Sequence, residues 1–252
     1  MDFAQALYNS LLFLMLLVAP FVLLILFYIP APYGRYARPG WGPTIDNRWG
    51  WSIMESPAAL LMLIPIIFIS ENLLIYFFLF LWQAHYLHRA FIYPFNLKSE
   101  PAIPLSIVGL ALLFNFINAF LNGYYFSVSQ DTYNFDYIYN WNFSIGLILF
   151  LVGFWANKRS DRVLQKIKKE NGSGHYETPD EFLYRYISCP NYFSESVQWL
   201  GWAVMTMAPP AWIFFLWTLA NLLPRAVTHH RWYQENFPNY PKKRKALFPF
   251  LI

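Results

Sequence analysis

The sequence predicts an all-α, multi-pass integral membrane protein with about seven transmembrane helices, the N-terminus outside and the C-terminus cytoplasmic. Three observations carry this. Hydrophobic residues make up 57% of the chain and charged residues 13%. Soluble domains carry about 25% charged residues, so this chain lacks the charge to coat a water-facing surface. Apolar stretches recur along its length, and its bases fall in alternate loops only. The 252 residues read as one domain, 1–252.

The first span is 6–29, an uncharged run long enough to cross about 30 Å of hydrocarbon. No Lys or Arg precedes it and it is too long for the core of a signal peptide. Further spans are expected at about 51–70, 73–93, 103–126 and 141–156. The last two, about 194–208 and 211–223, are short and joined by Pro209-Pro210, which suggests a tight helical hairpin. The count is seven, or six if that hairpin only dips into the bilayer. Residues 157–169 have helical spacing and should prolong the fifth span, and the seventh should run on into the polar tail.

Polar connections set the orientation. Bases occupy the first loop (Arg35, Arg38, Arg48), the third (Arg89, Lys98), the fifth (Lys158 to Lys169, and Arg185) and the tail (Arg225 to Lys245). The N-terminus and the even-numbered loops hold none, which puts the odd loops and the tail in the cytoplasm.

Composition and motifs exclude several functions. A net charge of +4 is too small for a nucleic-acid partner. One cysteine, Cys189, leaves no disulfide framework and no multi-cysteine metal site. Aromatic residues at 21% exclude disorder. No GxGxxG, GxxxxGK[ST] or HExxH occurs, and five histidines are too few for the usual His boxes of membrane di-iron oxygenases, so no metal is expected.

Glu55, about one turn into the second span, is the most informative residue. An acid there is costly unless paired or facing a cavity. The plainer reading, an interfacial acid beside the helix break at Pro57, stands at even weight. The third span ends in His85-Tyr86-Leu87-His88-Arg89, with His85 and Arg89 on one face. Arg89 alone reads as a positive-inside anchor, but Tyr86 with a membrane Glu could polarise a ligand carbonyl. Asn157, Asp161 and Lys168 share one face beyond the fifth span; Arg225, His229 and Tyr233 share another beyond the seventh. Such mixed donors and acceptors could hold a ribose and phosphates. For Lys242 to Lys245, attraction to anionic lipid is the better reading.

In order along the chain, Tyr33-Gly34-Arg35-Tyr36, Glu55-Ser56-Pro57, His85-Tyr86-Leu87-His88-Arg89, Asn157-Lys158-Arg159-Ser160-Asp161, Ser188-Cys189-Pro190-Asn191-Tyr192-Phe193-Ser194-Glu195 and the tail from Arg225 to Leu247 resemble the steroid 5α-reductase family. Each motif alone is weak; together, in order over nearly the whole chain, they are specific. The resemblance implies NADPH-dependent reduction of the C4–C5 double bond of a 3-oxo-Δ4 steroid that enters from the bilayer. It implies that Glu55 and Tyr86 hydrogen-bond the 3-keto oxygen. It implies cofactor contacts from Arg89, Asn157, Asp161, Lys168, Tyr176, Asn191, Glu195, Arg225, His229 and Tyr233. Trp51, Tyr33 and Arg35 match positions near the mouth or wall of the site. The membrane would be a bacterial inner membrane or the endoplasmic reticulum. Two departures bear on the cofactor: Glu100 and Glu177 stand where the family's steroid enzymes often carry bases, which weakens the case for NADPH over NADH. Lys168 and Lys98 are the substitutes. Competing readings are a related ene-reductase acting on polyprenols or enoyl-CoA, a membrane methyltransferase using S-adenosylmethionine, and a non-enzymatic scaffold or transporter. Glu55 with Tyr86 favours a carbonyl over a polyprenol, and the two polar helix faces favour a nucleotide over a scaffold.

Overall fold

A computed structural model describes residues 3–68, 71–96, 101–171, 177–249 and 251, apart from the side chains at 65, 66, 168, 170 and 171. It is a mostly helical bundle. Helix α1 is Phe3–Tyr28, α2 Asn47–Leu61, α3 Leu73–Leu87, the short α4 Tyr93–Asn96, α5 Leu105–Val128, α6 Trp141–Asn171, α7 Pro190–Thr206 and α8 Pro209–Asn236. Among the described residues α1, α5 and α8 are long and apolar enough to cross a membrane. The chain is an all-α membrane protein; among the described residues its one sheet is a two-residue ribbon, β1 Thr44–Ile45 against β2 Ile103–Pro104, which ties the first loop to the start of α5.

Proline and polar caps fix the helix ends. Asp46 caps α2 by accepting from the Arg48 amide at 2.9 Å. Pro57 has no N–H for the Ile53 carbonyl, and the Ser56 hydroxyl donates to that carbonyl at 2.9 Å instead. The second apolar stretch is expected to be helical to residue 70. The α-helix stops at Leu61 and continues as a 3₁₀ turn, Ile64–Ile67, because Pro65 cannot donate into an α-helical ladder. Asn72 caps α3 through Ile75 N at 3.0 Å and donates to the carbonyls of Gln130 and Tyr133. Beyond α3 the chain runs through a π-helical turn, His88–Ile92, into α4. α6 is one continuous helix from the apolar stretch at Trp141 into the polar residues up to Asn171, as its spacing indicates. Met207, in the left-handed conformation at φ 52°, turns α7 into α8 ahead of the Pro pair.

Packing centres on an aromatic core of Phe78, Trp82, Phe126, Trp199, Trp202 and Phe214. The Trp82 indole donates to the Ala58 carbonyl at 2.8 Å, locking α3 to α2. α6 and α7 touch backbone to backbone. A Cβ on Gly146 would strike Met205, one on Gly153 would strike Gln198, and one on Gly201 would strike Phe150, in each case at main-chain atoms. α1 is the least enclosed helix. Only Tyr8, Met15 and Ala19 are buried on it, and it is tied to α8 by the Trp217 indole, which donates to the Met15 carbonyl at 2.8 Å.

Candidate active site

These helices enclose two adjoining cavities. The larger, about 560 Å³, is mostly apolar. One face of α1 (Leu14, Val18, Val22), Ile107 and Phe114 of α5, and Trp199 and Phe214 of the core line it. Its volume falls in the range of about 300–1,000 Å³ typical of ligand sites. The smaller, about 190 Å³, is polar and lies between the first loop, α6, the segment before α7, and α8. Tyr33, Trp51, Arg89, Glu195, Leu222 and Arg225 line both, so the cavities share a wall.

Glu55 and Tyr86 lie on the apolar cavity. Glu55 Oε1 is 4.0 Å from Arg89 Nε, and Oε2 is 3.5 Å from the Asn115 amide nitrogen. That nitrogen also donates to the Met54 carbonyl at 2.6 Å. The Tyr86 ring is clamped by Trp82 and Trp199, with centroids at 4.8 and 5.8 Å. His85, beside it, is fixed by Gln198, whose amide nitrogen is 3.0 Å from His85 Nδ1. The π turn carries Arg89 to the shared wall, where its guanidinium lies 4.5 Å from the Trp51 ring and 4.7 Å from the Tyr93 ring. π turns of this kind recur at functional positions.

The polar cavity gathers residues from three helices, α6, α7 and α8. Asp161, Asn191, Glu195, Arg225, His229 and Tyr233 all line it. The Asn191 amide is 3.5 Å from Asp161 Oδ1. Asn157 stands behind this wall and donates to the Asn191 carbonyl at 3.0 Å, holding the start of α7 against α6. Arg225 donates to the Tyr192 hydroxyl at 3.0 Å and stacks 3.9 Å from the Tyr33 ring. Gly34, next to Tyr33, sits at φ 60°, a conformation that favours glycine, and so bends the first loop over Arg225. His229 Nδ1 is 3.4 Å from Arg35 Nη1 and 3.1 Å from the Tyr36 hydroxyl. Arginine only donates, so Nδ1 accepts and Nε2–H faces the Tyr192 hydroxyl at 3.4 Å. Tyr233 stacks on Tyr240 at 5.4 Å, and the Arg35 guanidinium lies 4.9 Å from the Tyr233 ring. Lys168 (its side chain) and Tyr176 lie outside the described residues, as do Lys98 and Glu100. Glu177 lines the polar cavity.

Among the described residues several buried polar atoms here have no hydrogen-bond partner: Asn157 Oδ1, Lys158 Nζ and Asp161 Oδ2. Orphaned buried groups are expensive to keep unless something satisfies them. Outside the spans, burial pushes the Tyr36 hydroxyl up to about 12, against the opposing pull of Arg35 and Arg225. Burial likewise raises the Cys189 thiol to about 12, so this cavity-lining sulfur is an inert packing group. No cluster of His, Cys, Asp and Glu among the described residues could hold a metal.

Sequence reasoning passed over Asn115, Asn118, Tyr192 and Trp199. The asparagines had a usable signal, since Asn115, Asn118 and Asn122 fall on one face of an otherwise apolar span. Tyr192 adjoins Asn191 within a segment already singled out.

Comparison with known proteins bears on this arrangement. Residues 101–252 match the family model described as 3-oxo-5-alpha-steroid 4-dehydrogenase. The chain is 40% identical over 260 residues to a steroid 5-alpha-reductase of Gossypium hirsutum, covering 98% of each chain. It is 40% identical over 248 residues to the Arabidopsis thaliana protein of that name, covering 94% of each. It is 34% identical over 230 residues to 3-oxo-5-alpha-steroid 4-dehydrogenase 1 of Bos taurus, covering 89% of each.

Proposed function

The chain belongs to the 3-oxo-5-alpha-steroid 4-dehydrogenase family, oxidoreductases acting on CH–CH bonds, and on that premise we propose that it reduces the C4–C5 double bond of 3-oxo-Δ4 steroids with NADPH. The observation that supports this best is the shared wall. A carboxyl and a phenol face an apolar cavity of about 560 Å³, and Arg89 and Glu195 next to them also line a polar cavity. An apolar substrate with one carbonyl suits the first cavity; a charged dinucleotide suits the second.

The polar residues fit such a dinucleotide. Asp161 carries an acceptor with no partner among the described residues, while Arg89 and Arg225 supply cations for phosphate or carboxamide oxygens, and Asn157 supports this wall from behind. At about 190 Å³ the polar cavity takes part of the molecule in this conformation. Asn191, Glu195, His229 and Tyr233 complete the lining, with Lys168 and Tyr176 as further contacts. NADPH, when bound, supplies the hydride.

The chain's own work is at the carbonyl. Hydride addition at C5 drives the π electrons of C4–C5 toward the 3-oxygen, and C4 then takes a proton from water. Tyr86 donates a hydrogen bond to that oxygen, and Glu55 donates a second when protonated. Both bonds strengthen as negative charge collects there, so they stabilise the transition state more than the bound enone. Trp82 and Trp199 hold the Tyr86 ring and exclude water from its hydroxyl. Trp51 and Tyr33 wall the passage between cavities.

We further propose one domain with seven spans, formed by α1, α2, α3, α5, α6, α7 and α8. The N-terminus is outside; the polar cavity, with the base-bearing loops, faces the cytoplasm, and the steroid enters from the bilayer. The test is direct. Purified protein in detergent is incubated with NADPH and testosterone or progesterone, and the 5α-dihydro product is sought by mass spectrometry. Product is expected, with strong loss in Glu55→Gln and Tyr86→Phe. No product from any enone, or full activity in both variants, overturns the proposal.

A further inference from the structure

Among the described residues none beyond Tyr233 lines either cavity, yet the tail is closely bound to the polar one's wall. Its backbone pairs with the segment before α7 in a short parallel bridge, Ile187 against Lys245. The Lys245 amide donates to the Tyr186 carbonyl at 3.1 Å, and the amides of Ser188 and Cys189 donate to the carbonyls of Lys245 and Ala246 at 2.8 and 3.2 Å. Arg244 is 3% exposed and donates to Asp180 Oδ1 at 3.1 Å, so it is no lipid-facing base. Leu247 is fully buried and packs with Ala246, Cys189 and Ala226. The segment held in this way carries Tyr184, Ser188, Cys189 and Asn191, and all four line the polar cavity.

Ser188 is the hub of this contact. Its Oγ lies 2.6 Å from His230 Nδ1 on α8, 2.6 Å from the Tyr240 hydroxyl and 3.1 Å from the Lys245 carbonyl. The hydrogens can be assigned. The Gln234 amide nitrogen only donates, and it lies 2.9 Å from His230 Nε2, so Nε2 accepts and Nδ1 carries the proton. Nδ1–H and the Tyr240 O–H then donate to the two lone pairs of Oγ, and the Ser188 O–H donates to the carbonyl. One buried hydroxyl thus spends its full hydrogen-bonding capacity on joining α8, the tail and the approach to α7. The start of α7 has little else to fix it, because Cys189 at its N-cap makes no side-chain capping bond.

We propose that Ser188 is a positioning residue for the dinucleotide site: by clasping the tail as a strap it sets the start of α7, and so holds Asn191 against Asp161 on the polar cavity. Asn191 stands three residues beyond Ser188. Its amide is 3.5 Å from Asp161 Oδ1, and its carbonyl takes the Asn157 amide at 3.0 Å. Among the described residues none from 180 to 191 lines the apolar cavity. A loosened strap therefore disturbs the cofactor side and spares the steroid side.

The inference rests on the polar cavity taking a dinucleotide, and the test separates the two. Three quantities are measured: the NADPH dissociation constant by isothermal titration, the steroid KM, and the alkylation rate of Cys189, the chain's one cysteine. The proteins are wild type, Tyr240→Phe, Ser188→Ala and the pair, each folded and monodisperse. Tyr240→Phe keeps the ring that stacks on Tyr233 and removes only the hydroxyl. Each single variant should weaken NADPH about fivefold or more, the worth of one hydrogen bond, with the steroid KM near its wild-type value. The pair should be no weaker than Ser188→Ala alone, because the Tyr240 hydroxyl reaches the cavity through Ser188. Cys189 packs with Ala246 and Leu247, so its alkylation should speed up in each variant, and bound NADPH should slow it again. A purely structural clasp would weaken both ligands alike, and its losses would add. Tyr240→Phe is the readout if Ser188→Ala does not fold. Wild-type NADPH affinity in the folded variants, additive losses, or an equal loss of steroid affinity overturns the strap. No NADPH binding and no protection of Cys189 in the wild type overturns the dinucleotide reading instead, and the alkylation rates of the variants still read the strap.

Discussion

Replacing Gly153 by alanine should destabilise the protein although the position is helical. Alanine in place of a helix-interior glycine normally stabilises by about 1 kcal/mol. At Gly153 the new methyl would collide with the backbone N and Cα of Gln198 and with the Ser194 carbonyl. Main chain cannot swing aside as a side-chain tip can, so α6 and α7 would have to part, and overpacking of this kind costs about 1–3 kcal/mol. Gly109 on α5 is the internal control, because nothing lies within 4 Å of a Cβ built there. Gly109→Ala keeps the propensity gain and meets no obstacle. The two variants should therefore differ by about 1–3 kcal/mol, or roughly 2–12 °C in apparent melting temperature at about 2–4 °C per kcal/mol. Circular dichroism on matched detergent samples measures it. Parting α6 from α7 also moves Asn191 and Glu195 away from Asp161, so the KM for NADPH should rise in Gly153→Ala and hold in Gly109→Ala. If Gly153→Ala melts at or above Gly109→Ala, the close helix contact is wrong.

Tyr86→Phe keeps the clamped ring and removes only the hydroxyl, so kcat should fall about 10²- to 10³-fold with little change in steroid KM; a raised KM at constant kcat would mean the hydroxyl serves binding alone. Glu177→Lys places a cation on the polar cavity where an acid stands, and should lower the KM for NADPH about fivefold or more at low salt, less at high salt; an unchanged KM would place the cofactor's phosphates elsewhere. Cys189, raised from 9.0 to about 12, should resist alkylation at pH 8 in the folded protein and react fully once unfolded. Its linkage follows in sign: the unfolded chain loses this proton first, so between about pH 9 and 12 the thiol makes stability fall as pH rises, and a Cys189→Ala variant should show a shallower decline.

What the sequence made legible followed the scale of each signal. α1 is a run of uncharged residues, and α6 carries its helical period from an apolar stretch into polar residues, so both read directly. The Pro209-Pro210 hairpin read from proline's missing N–H. α2 did not end where its apolar run ends, because hydropathy does not register Pro65. The π turn after α3 has no sequence marker at all. At the site, Glu55 announced itself as an acid in an apolar run, but its neighbours did not. Asp161, Asn191 and the Arg225–Tyr233 face lie on three separate helices, and what gathers them was visible through family resemblance rather than through spacing. Asn157 shows how a residue can share a helix face with Asp161 and yet stand behind the wall, spending its amide on the Asn191 carbonyl.

Arg89 carries this argument furthest. Four residues after His85, it reads as a basic anchor at the membrane edge, which would point it toward headgroups. Three contacts oppose that reading. Its guanidinium lies between the Trp51 and Tyr93 rings, and a carboxylate stands at 4.0 Å. A cation so placed is shielded from lipid and exposed to both cavities at once. It faces the Glu55 carboxyl and would attract any phosphate or carboxamide oxygen from the other side. Binding in the polar cavity would therefore compete for Arg89 and loosen its hold on Glu55, changing the carboxyl that the steroid meets when both ligands are present. The steroid dissociation constant should then depend on cofactor occupancy, and Arg89→Gln should abolish that dependence while leaving the apolar cavity intact. Equal steroid affinity with and without dinucleotide in the wild type would refute the coupling.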